Sequence, residues 1–544
     1  MRTVQELANE IGLSAGDVRE YGEGIGKIPV ALVRDTVARR SRGKLVLVTG
    51  MTPDSHGEGK TVTTIGLAMA LRQGGHRAIA CLRQPSLGPV FGIKGGATGG
   101  GRATVEPAVE INLGLSGDFD AVTAAHNLLA AVVDNHLYHG NALGIDPPQV
   151  TWPRAMDVGD RALRHIVLNA EGSASSGPRP GGFVITAASE VMAILGLSRD
   201  YTDLKERLGR ILVAARTDGT PVRAADLHVA GAMAALLRHA LQPNLVQAVD
   251  GTPVLVHGGP FGNIAHGTCS RLSIELGLSL CEYTVVEAGF ATELGAEKFV
   301  DIAGRIGEFE VSAGVLVVTL RGLRHQGGAP ADSSDVPSLP AVTRGLANLG
   351  QHLANLSTLG IPAVVAINRF PTDTAEEIEA VATFCRERGV PAVPSKVFSE
   401  GSEGGRELAL AVVARVGEGH VSRFGYPIGT PPLEALELLV TRFYGGRSVR
   451  VEPDAAEQLA TFARWDESAG PVCVAKTPLS LSDDPKVLGG PSGFTATVRR
   501  FSRSAGAGFT VAYLGTIQTM PGLPSRPAAE SIDLDADGRV LGLR

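Results

Sequence analysis

The chain has 544 residues, 44% of them hydrophobic and 19% charged, so it can bury several cores and lacks the composition of a disordered protein. A net charge of −6 and a pI near 6.1 argue against nucleic acid or an anionic membrane as a partner. The five cysteines are widely spaced and include no Cys-x-x-Cys pair, so they indicate neither a disulfide framework nor a zinc site.

The amino terminus carries no apolar segment of the secretory type. No apolar run in the chain approaches the roughly 18 residues that a membrane helix needs. We therefore expect a cytoplasmic protein that binds neither nucleic acid nor membrane.

A β-branched apolar run at residues 45–48 is followed by a glycine-rich turn, a Lys-Thr pair and a helical pattern at 65–71. This order indicates a strand, a phosphate loop and a helix. In such a loop, backbone N–H groups close around phosphate oxygens, a lysine supplies a cation, and the next hydroxyl holds Mg²⁺. The strict motif has glycine where this chain has Asp54. A plain strand-to-helix turn is the alternative, but the flanking elements favour nucleotide binding. The predicted nucleotide-binding residues are Gly57, Glu58, Gly59, Lys60, Thr61, Val62 and Thr63, with Thr61 as the metal ligand.

Residues 78–82 indicate a second strand, which ends at Arg83 and Gln84 and is followed by a glycine-rich stretch that contains Lys94. A strand–helix–strand unit of this spacing predicts a parallel sheet with its ligands beyond the carboxyl ends of the strands. We predict an α/β fold with a sheet like that of the P-loop NTPases, flanked by helices. Further strands are expected at 254–257, 283–287, 315–319 and 363–368, and a helix at 121–135.

Polar groups follow several of these predicted strands, among them His266, Glu287 and Asn368. Each one alone is as compatible with an ordinary loop residue as with a functional one. Together with the phosphate loop they outline a cleft in which hydroxyl, carboxylate and amide groups face one place, which is typical of an active site.

Seven stretches match one known family in order. They are residues 57–61, 85–89 with their continuation at 91–96, 187–194, 263–267, 294–299, 482–485 and 519–524. By these stretches the chain resembles the formate–tetrahydrofolate ligase family from end to end. The resemblance implies ATP-dependent activation of formate to formyl phosphate, followed by transfer of the formyl group to tetrahydrofolate to give 10-formyltetrahydrofolate, ADP and phosphate. It also implies a homotetramer, and it leaves open whether a monovalent cation is required.

By this resemblance, Lys60, Arg83 and Lys94 are the expected catalytic residues. Lys60 would stabilise the transferred phosphoryl group, Arg83 would hold formyl phosphate, and Lys94 would add a cation to the same anion. A structural ion pair is the alternative for Arg83, and ordinary core packing is the alternative for Phe370. The expected folate-side residues are Gln84, Asn368, Phe370, Pro371 and Phe398.

Several folate-side positions depart from the family pattern. Gln84 replaces a glutamate, Phe398 replaces a tryptophan, and Glu400 reverses a charge, whereas Gln326 and Val184 replace other polar family positions. The phosphate-side residues are kept. Three hypotheses therefore stand: a formate–tetrahydrofolate ligase, a diverged paralogue that passes an acyl phosphate to another amine, and a nucleotide-binding protein without ligase activity.

The resemblance and the loss of alternating strands and helices beyond about residue 445 also predict the domain organisation. We expect a large nucleotide-binding domain at residues 1–370 with an inserted segment at about 140–250, and a second α/β domain at 371–445 beside the folate cleft. A small C-terminal domain is expected at 446–544.

Overall fold

A computed structural model describes residues 1–54, 57–169, 177–420, 422–465, 467 and 470–543. A twelve-stranded mixed sheet forms its centre, and seven neighbouring strands of that sheet run parallel. The predicted α/β fold is confirmed. In spatial order the parallel strands are Pro253–Val256, Ala78–Leu82, Tyr283–Ala291, Lys44–Gly50, Val311–Val318, Ala363–Asn368 and Ala392–Ser395.

One end of the sheet is antiparallel, which the sequence did not predict. Asn244–Ala248 pairs antiparallel with Pro253–Val256, because the four residues between them form a tight turn that is too short for the crossover a parallel pair needs. The same strand pairs antiparallel with Gly26–Lys27, which in turn pairs with Arg19–Glu20. Ala103–Glu106 also pairs with Asn244–Ala248, and Gly99–Gly100 pairs with Ala103–Glu106.

The parallel strands are buried on both faces, which explains their continuous apolar sequences. In Lys44–Gly50, Leu45 and Leu47 belong to one hydrophobic cluster, while Val46 and Val48 belong to another on the opposite face. Side chains alternate between the two faces of a strand, so helices cover both sides of this sheet. The helix Lys60–Gln73 packs against Tyr283–Ala291 and Ala78–Leu82.

The helices match the predicted pattern in the two segments where the sequence was most periodic. The helix expected at 65–71 is observed at Lys60–Gln73, and the helix expected at 121–135 is observed at Asp118–Tyr138. The other α-helices are Val4–Glu10, Val30–Arg39, Leu87–Pro89, Ala108–Asn112, Glu190–Leu197, Tyr201–Arg210, Ala230–Leu236, Arg271–Leu280, Arg305–Gly307, Leu320–Gln326, Leu339–Thr358, Ala375–Arg386, Val397–Glu400, Arg406–Val416, Pro432–Leu439 and Pro453–Arg464. Wider π-type turns occur at Val90–Lys94, Thr292–Ala296, Phe299–Gly304 and Val440–Tyr444.

Small sheets lie outside the central one. In and beside the segment 140–250, the pairs are Arg154–Met156 with Phe183–Ile185, Ile166–Leu168 with Arg179–Gly181, and Leu212–Ala215 with Pro221–Arg223. Beyond residue 445, Ser448–Val451 pairs with Thr495–Val498, Phe509–Tyr513 pairs with Val472–Ala475 and Arg500–Ser504, and Asp533–Leu534 pairs with Val540–Leu541.

The proposed domain limits at residues 370 and 445 stay a prediction. The strand Ala392–Ser395, which lies in the segment 371–445, pairs with Ala363–Asn368 and so extends the central sheet. Among the described residues, no helix combines the length and the apolar character that a membrane crossing requires.

Candidate active site

The phosphate loop leaves the carboxyl end of the strand Lys44–Gly50 and enters the helix Lys60–Gln73. Gly59 precedes that helix with φ of 80°, a left-handed conformation that favours glycine, and no side chain caps the first turn. The first N–H groups of a helix have no partner within the helix, and the helix dipole makes this end positive. The loop therefore presents uncapped N–H groups where an anion can bind.

Neighbouring elements hold the loop on two sides. The Asn368 amide donates to the Glu58 carbonyl at 2.9 Å, and a Cβ atom on Gly59 would lie 2.5 Å from the same amide nitrogen. From the other side, Arg321 donates to Asp54 at 2.5 Å and lies 3.5 Å from the Gly57 carbonyl. Asp54, at the position where the strict motif has glycine, thus has a structural partner.

Glu287 joins the loop to the predicted catalytic arginine. Its Oε2 accepts a hydrogen bond from the Thr61 hydroxyl, and its Oε1 accepts one from Arg83 at 2.9 Å. The Glu287 side chain is 7% exposed and that of Arg83 is 26% exposed. Burial opposes ionisation of Glu287, but Arg83, Thr61 and Lys60 outweigh it and lower the pKa of this carboxyl.

The sheet becomes irregular immediately after Glu287, at the edge beside the phosphate loop. The strand Tyr283–Ala291 pairs in register with Lys44–Gly50 as far as Glu287, which lies opposite Val48, and the register shifts before Ala291. Phe290 within this irregular stretch has a positive φ of 62°. Bulges of this kind redirect side chains next to active sites.

Lys60 forms an ion pair with Glu58, whose other carboxylate oxygen, Oε1, is buried without a hydrogen-bond partner. The Lys60 side chain is 13% exposed, so it can be reached from the cleft. Glu58 thus neutralises the lysine of the loop.

Lys94 lies close enough to the same groups to be affected by their charges. Its side chain reaches solvent, yet the protein around it lowers the pKa of its ammonium, and the nearby charges of Arg83 and Lys60 lower it further. Glu287 and Glu58 act on Lys94 in the opposite direction. Lys60, Arg83 and Lys94 therefore influence one another electrostatically, although Lys94 makes no direct contact with the other two among the described residues.

His266 lies deep beside these groups. It is 1% exposed, and neither of its ring nitrogens has a hydrogen-bond partner. Burial, followed by the charges of Arg83 and Arg207, lowers the pKa of His266 to about 3. The imidazole is therefore neutral near pH 7 and has a free donor and a free acceptor.

The two aromatic residues predicted for the folate side lie on different walls near the loop. Phe370 is half-buried, with the Arg321 guanidinium 5.1 Å from its ring centre, and Pro371 beside it is exposed. Phe398 is 56% exposed and contacts the backbone at Gly100 and Gly101. Among the described residues, these two rings form no direct ring contact with each other.

Polar residues that depart from the family pattern have defined local partners. Gln84 is 3% exposed and donates its amide to the Gly114 carbonyl at 3.2 Å, while its side-chain oxygen is buried without a partner. Gln326 accepts a hydrogen bond from the Gly489 N–H at 2.9 Å. Glu400 pairs with Lys396 at 3.4 Å on the surface. Val184 is half-buried.

The remaining predicted nucleotide-binding residues lie in the loop or in the first turn of its helix. Gly57 is exposed, and Val62 is half-buried. Thr63 is buried and donates its N–H to the Gly59 carbonyl, which starts the helix.

The residues present fit a magnesium ion. Mg²⁺ prefers oxygen ligands and is usually held by one or two protein groups together with phosphate oxygens and water. The Thr61 hydroxyl and the ionised Glu287 carboxylate are oxygen donors in hydrogen-bond contact at the end of the phosphate loop. Thr61 is the predicted metal ligand, and Glu287 is a second candidate ligand beside it.

Two partnerships of the site were not predicted from the sequence. Glu287 was noted as a polar residue at a strand end, but its contacts with Thr61 and Arg83 span 226 and 204 positions. Arg321 was not considered at all, although it follows the strand Val311–Val318 at the same edge of the sheet. Its position just after a predicted central strand was the one feature of the sequence that could have indicated a place near the site.

The site consists of an uncapped helix start at the carboxyl edge of a largely parallel sheet, with cationic side chains nearby. This arrangement defines an α/β protein with a phosphate-binding loop. The family model for formate–tetrahydrofolate ligase matches residues 1–544. The chain belongs to that family, and the resemblance stated from the sequence is confirmed. The chain is therefore a ligase of one-carbon metabolism that joins formate to tetrahydrofolate.

Proposed function

We propose that the chain ligates formate to tetrahydrofolate by way of formyl phosphate and that Lys60, Arg83 and Lys94 are its catalytic residues. The observation that carries this proposal is the contact of Arg83 with Glu287 beside the phosphate loop, where Lys60 lies and where the charge of Lys94 is also felt. A triphosphate and a small carboxylate are both anions, so they need nearby cations to come close together.

In the first step, a formate oxygen attacks the γ-phosphorus of ATP, the bond from phosphorus to the β–γ bridging oxygen breaks, and ADP leaves. The N–H groups at the start of the helix Lys60–Gln73 and the Lys60 ammonium stabilise the negative charge that spreads over the phosphoryl oxygens. Lys60 exchanges its ion pair with Glu58 for the incoming phosphate.

Arg83 and Lys94 hold the formyl phosphate that results. Arg83 already uses one guanidinium nitrogen on Glu287, while its Nε is buried without a partner. A guanidinium fixed in this way by a carboxylate can direct its remaining N–H groups at phosphate oxygens. In the second step, a tetrahydrofolate nitrogen attacks the formyl carbon, inorganic phosphate leaves, and the nitrogen loses its proton.

Thr61 and Glu287 would hold Mg²⁺, which when bound neutralises phosphate charge. Glu287 stays anionic for this purpose because its pKa is lowered. The monovalent cation, the homotetramer and the cytoplasmic location considered from the sequence stay predictions.

Phe370, Pro371 and Phe398 form the expected folate side of the cleft. Asn368, two residues before Phe370, donates to the Glu58 carbonyl and so ties that segment to the phosphate loop. Aromatic faces bind a planar pterin ring by stacking. The unpartnered side-chain oxygen of Gln84 can accept one hydrogen bond from that ring, but as an amide it forms a weaker bond than the family's carboxylate.

One set of incubations tests the proposal. The pure protein is given ATP, Mg²⁺ and formate, with or without tetrahydrofolate, and ADP and formylated product are measured. Product that depends on tetrahydrofolate supports the proposal. An acyl phosphate that hydroxylamine traps, without any folate product, would favour the paralogue with another amine acceptor. ATP binding without either product would favour a nucleotide-binding protein and contradict the proposal.

A further inference from the structure

A cavity of about 580 Å³ lies between the segment 140–250 and the part of the chain beyond residue 445. This volume is in the range of small-molecule sites. Among the described residues, its lining includes none of the predicted nucleotide, formate or folate residues. The reaction described above therefore makes no use of it.

Several aromatic rings line this cavity. Trp152, Phe462, Trp465, Phe501 and Tyr513 all line it. The Trp152 indole N–H donates to the His126 carbonyl at 3.1 Å, and its ring stacks on the His126 imidazole at 4.3 Å.

The second tryptophan is fixed in the same way, because the Trp465 N–H donates to the Gly219 carbonyl at 2.8 Å. Since both indoles are held by the backbone, their faces are in place before any ligand arrives. Fixed aromatic faces favour a planar ring as the occupant.

A cation without a charged partner stands at the same cavity. The Arg500 guanidinium lies 4.0 Å from the centre of the Tyr513 ring, and within the described part of the chain it has neither an ion pair nor a side-chain hydrogen bond. Arg503, which also lines the cavity, is by contrast paired with Glu467 at 3.1 Å. Arg500 thus has N–H donors to offer a ligand, and its contact with Tyr513 limits its rotation.

The carboxyl groups of the lining do not offset this cation. Glu190 accepts the N–H groups of Gly506 and Ala507 through one oxygen, at 2.7 and 3.2 Å, and burial raises the pKa of its carboxyl to about 7, so it carries only part of a negative charge near neutral pH. Glu457 is exposed at the rim, where a charge interacts weakly. The positive charge of Arg500 therefore remains available to an anionic ligand.

We propose that this cavity binds an aromatic or heteroaromatic anion, with its rings between the tryptophan and tyrosine faces and its carboxylate or phosphate on Arg500. This ligand is distinct from formate, ATP and the folate bound at the phosphate loop.

The binding test uses two dyes that share one ring system. 1-Anilinonaphthalene-8-sulfonate carries an anionic group, while N-phenyl-1-naphthylamine is its uncharged counterpart. Both accept excitation energy from tryptophan, and the only two tryptophans of the chain, Trp152 and Trp465, line the cavity. Energy transfer therefore reports a dye bound near these walls.

The variant Arg500→Met keeps an apolar side chain over Tyr513 and removes the charge. Arg499→Met is the matched control, because Arg499 is also exposed but does not line the cavity. We expect Arg500→Met to weaken the anionic dye relative to the neutral dye by about 10- to 100-fold, and Arg499→Met to leave that ratio unchanged. An equal effect of both variants on the ratio, or of neither, would overturn the proposal.

Competition then identifies the anionic group. Displacement of the sulfonate dye by naphthalene-2-carboxylate or by 2-naphthyl phosphate supports the proposal, and the tighter competitor shows whether carboxylate or phosphate is preferred. Failure of both to displace it at millimolar concentration would overturn the proposal. These measurements need neither ATP nor formate, so their outcome is independent of the proposed ligase mechanism.

Discussion

The carboxylate of Glu287 accepts a hydrogen bond from the Arg83 guanidinium at 2.9 Å, and its other oxygen accepts one from the Thr61 hydroxyl. One buried carboxylate thus aligns both the arginine expected to hold formyl phosphate and the hydroxyl expected to hold the metal. A group that fixes two others contributes to catalysis through their geometry, so its removal should affect metal binding and turnover together.

Glu287→Gln tests this relationship. The amide keeps one acceptor oxygen, but its NH₂ group faces a donor and cannot replace the second. We expect both kcat and the affinity for Mn²⁺ in the presence of ATP to fall by about 10- to 100-fold. Free Mn²⁺ is measured by electron paramagnetic resonance, which does not depend on turnover.

Glu282→Gln is the matched control for that measurement. Glu282 immediately precedes the same strand at its other end, its side chain is 48% exposed, and its partner is His76. It should leave both quantities unchanged. Normal Mn²⁺ affinity in Glu287→Gln would show that this carboxylate has no part in the metal site.

Lys60→Ala should lower kcat by at least about 100-fold, because the transferred phosphoryl group loses its nearest cation. The substitution also leaves the buried carboxylate of Glu58 without its ion pair, which destabilises the fold. In the double variant Lys60→Ala with Glu58→Gln, position 58 is uncharged, so no unpaired carboxylate is buried. This variant should regain thermal stability without regaining activity, as judged by the unfolding midpoint and the rate of ADP release.

Lys44→Ala serves as the control, since Lys44 begins the strand that leads into the phosphate loop and is exposed. Its kcat should equal that of the wild type. If the double variant turned over within a few-fold of the wild type, the phosphate loop would not be the site of phosphoryl transfer.

Gly66→Ala tests how the helix Lys60–Gln73 packs against the segment that carries Phe398, one of the expected folate-side residues. A Cβ atom at Gly66 would lie 2.6 Å from Cγ1 of Val397, the residue before Phe398, so the two segments would have to separate. Overpacking of this kind costs about 1–3 kcal/mol, which exceeds the gain in helix propensity from alanine. We expect a lower unfolding midpoint and a higher KM for tetrahydrofolate, with little change in the KM for ATP.

Gly231→Ala is its control, because it also lies in a helix and a Cβ there would meet only the Lys205 side chain at 3.8 Å. Its stability should be equal to or slightly above that of the wild type. A Gly66→Ala protein as stable as Gly231→Ala would contradict the close packing of these two segments.

The local parts of the site were predictable, because the information for them lies within a few residues. The strand expected at 78–82 is observed at Ala78–Leu82, and the loop begins and ends where its glycines and Lys60 indicated. The antiparallel strand Asn244–Ala248 was missed. An apolar run of five residues does not reveal its direction until the turn that follows it is recognised.

The partners of these local groups were not predictable. Which carboxylate meets Thr61 depends on the spatial order of the strands, and the chain crosses that order repeatedly. Glu287 comes next to the loop because Tyr283–Ala291 inserts between Ala78–Leu82 and Lys44–Gly50. A sequence pattern shows that a residue ends a strand but not which strand becomes its neighbour.

Glu190→Gln should change how stability depends on pH. Burial raises the pKa of the Glu190 carboxyl from 4.5 to about 7, against the hydrogen bonds that it accepts from Ala507 and Gly506. The folded chain therefore binds this proton more tightly than the unfolded chain. Its stabilising effect is complete below about pH 4.5 and is lost as the pH rises through about 7.

Glutamine keeps the accepting oxygen and never ionises, so the variant avoids this loss. Between pH 5 and 8 its free energy of unfolding should rise relative to the wild type by on the order of 1–3 kcal/mol. The difference is taken at each pH from chemical denaturation, because the other titrating groups then cancel. Glu206→Gln, at an exposed position of the helix Tyr201–Arg210, should show no such trend. A difference that stayed constant with pH would mean that Glu190 is already ionised in the folded protein at pH 5.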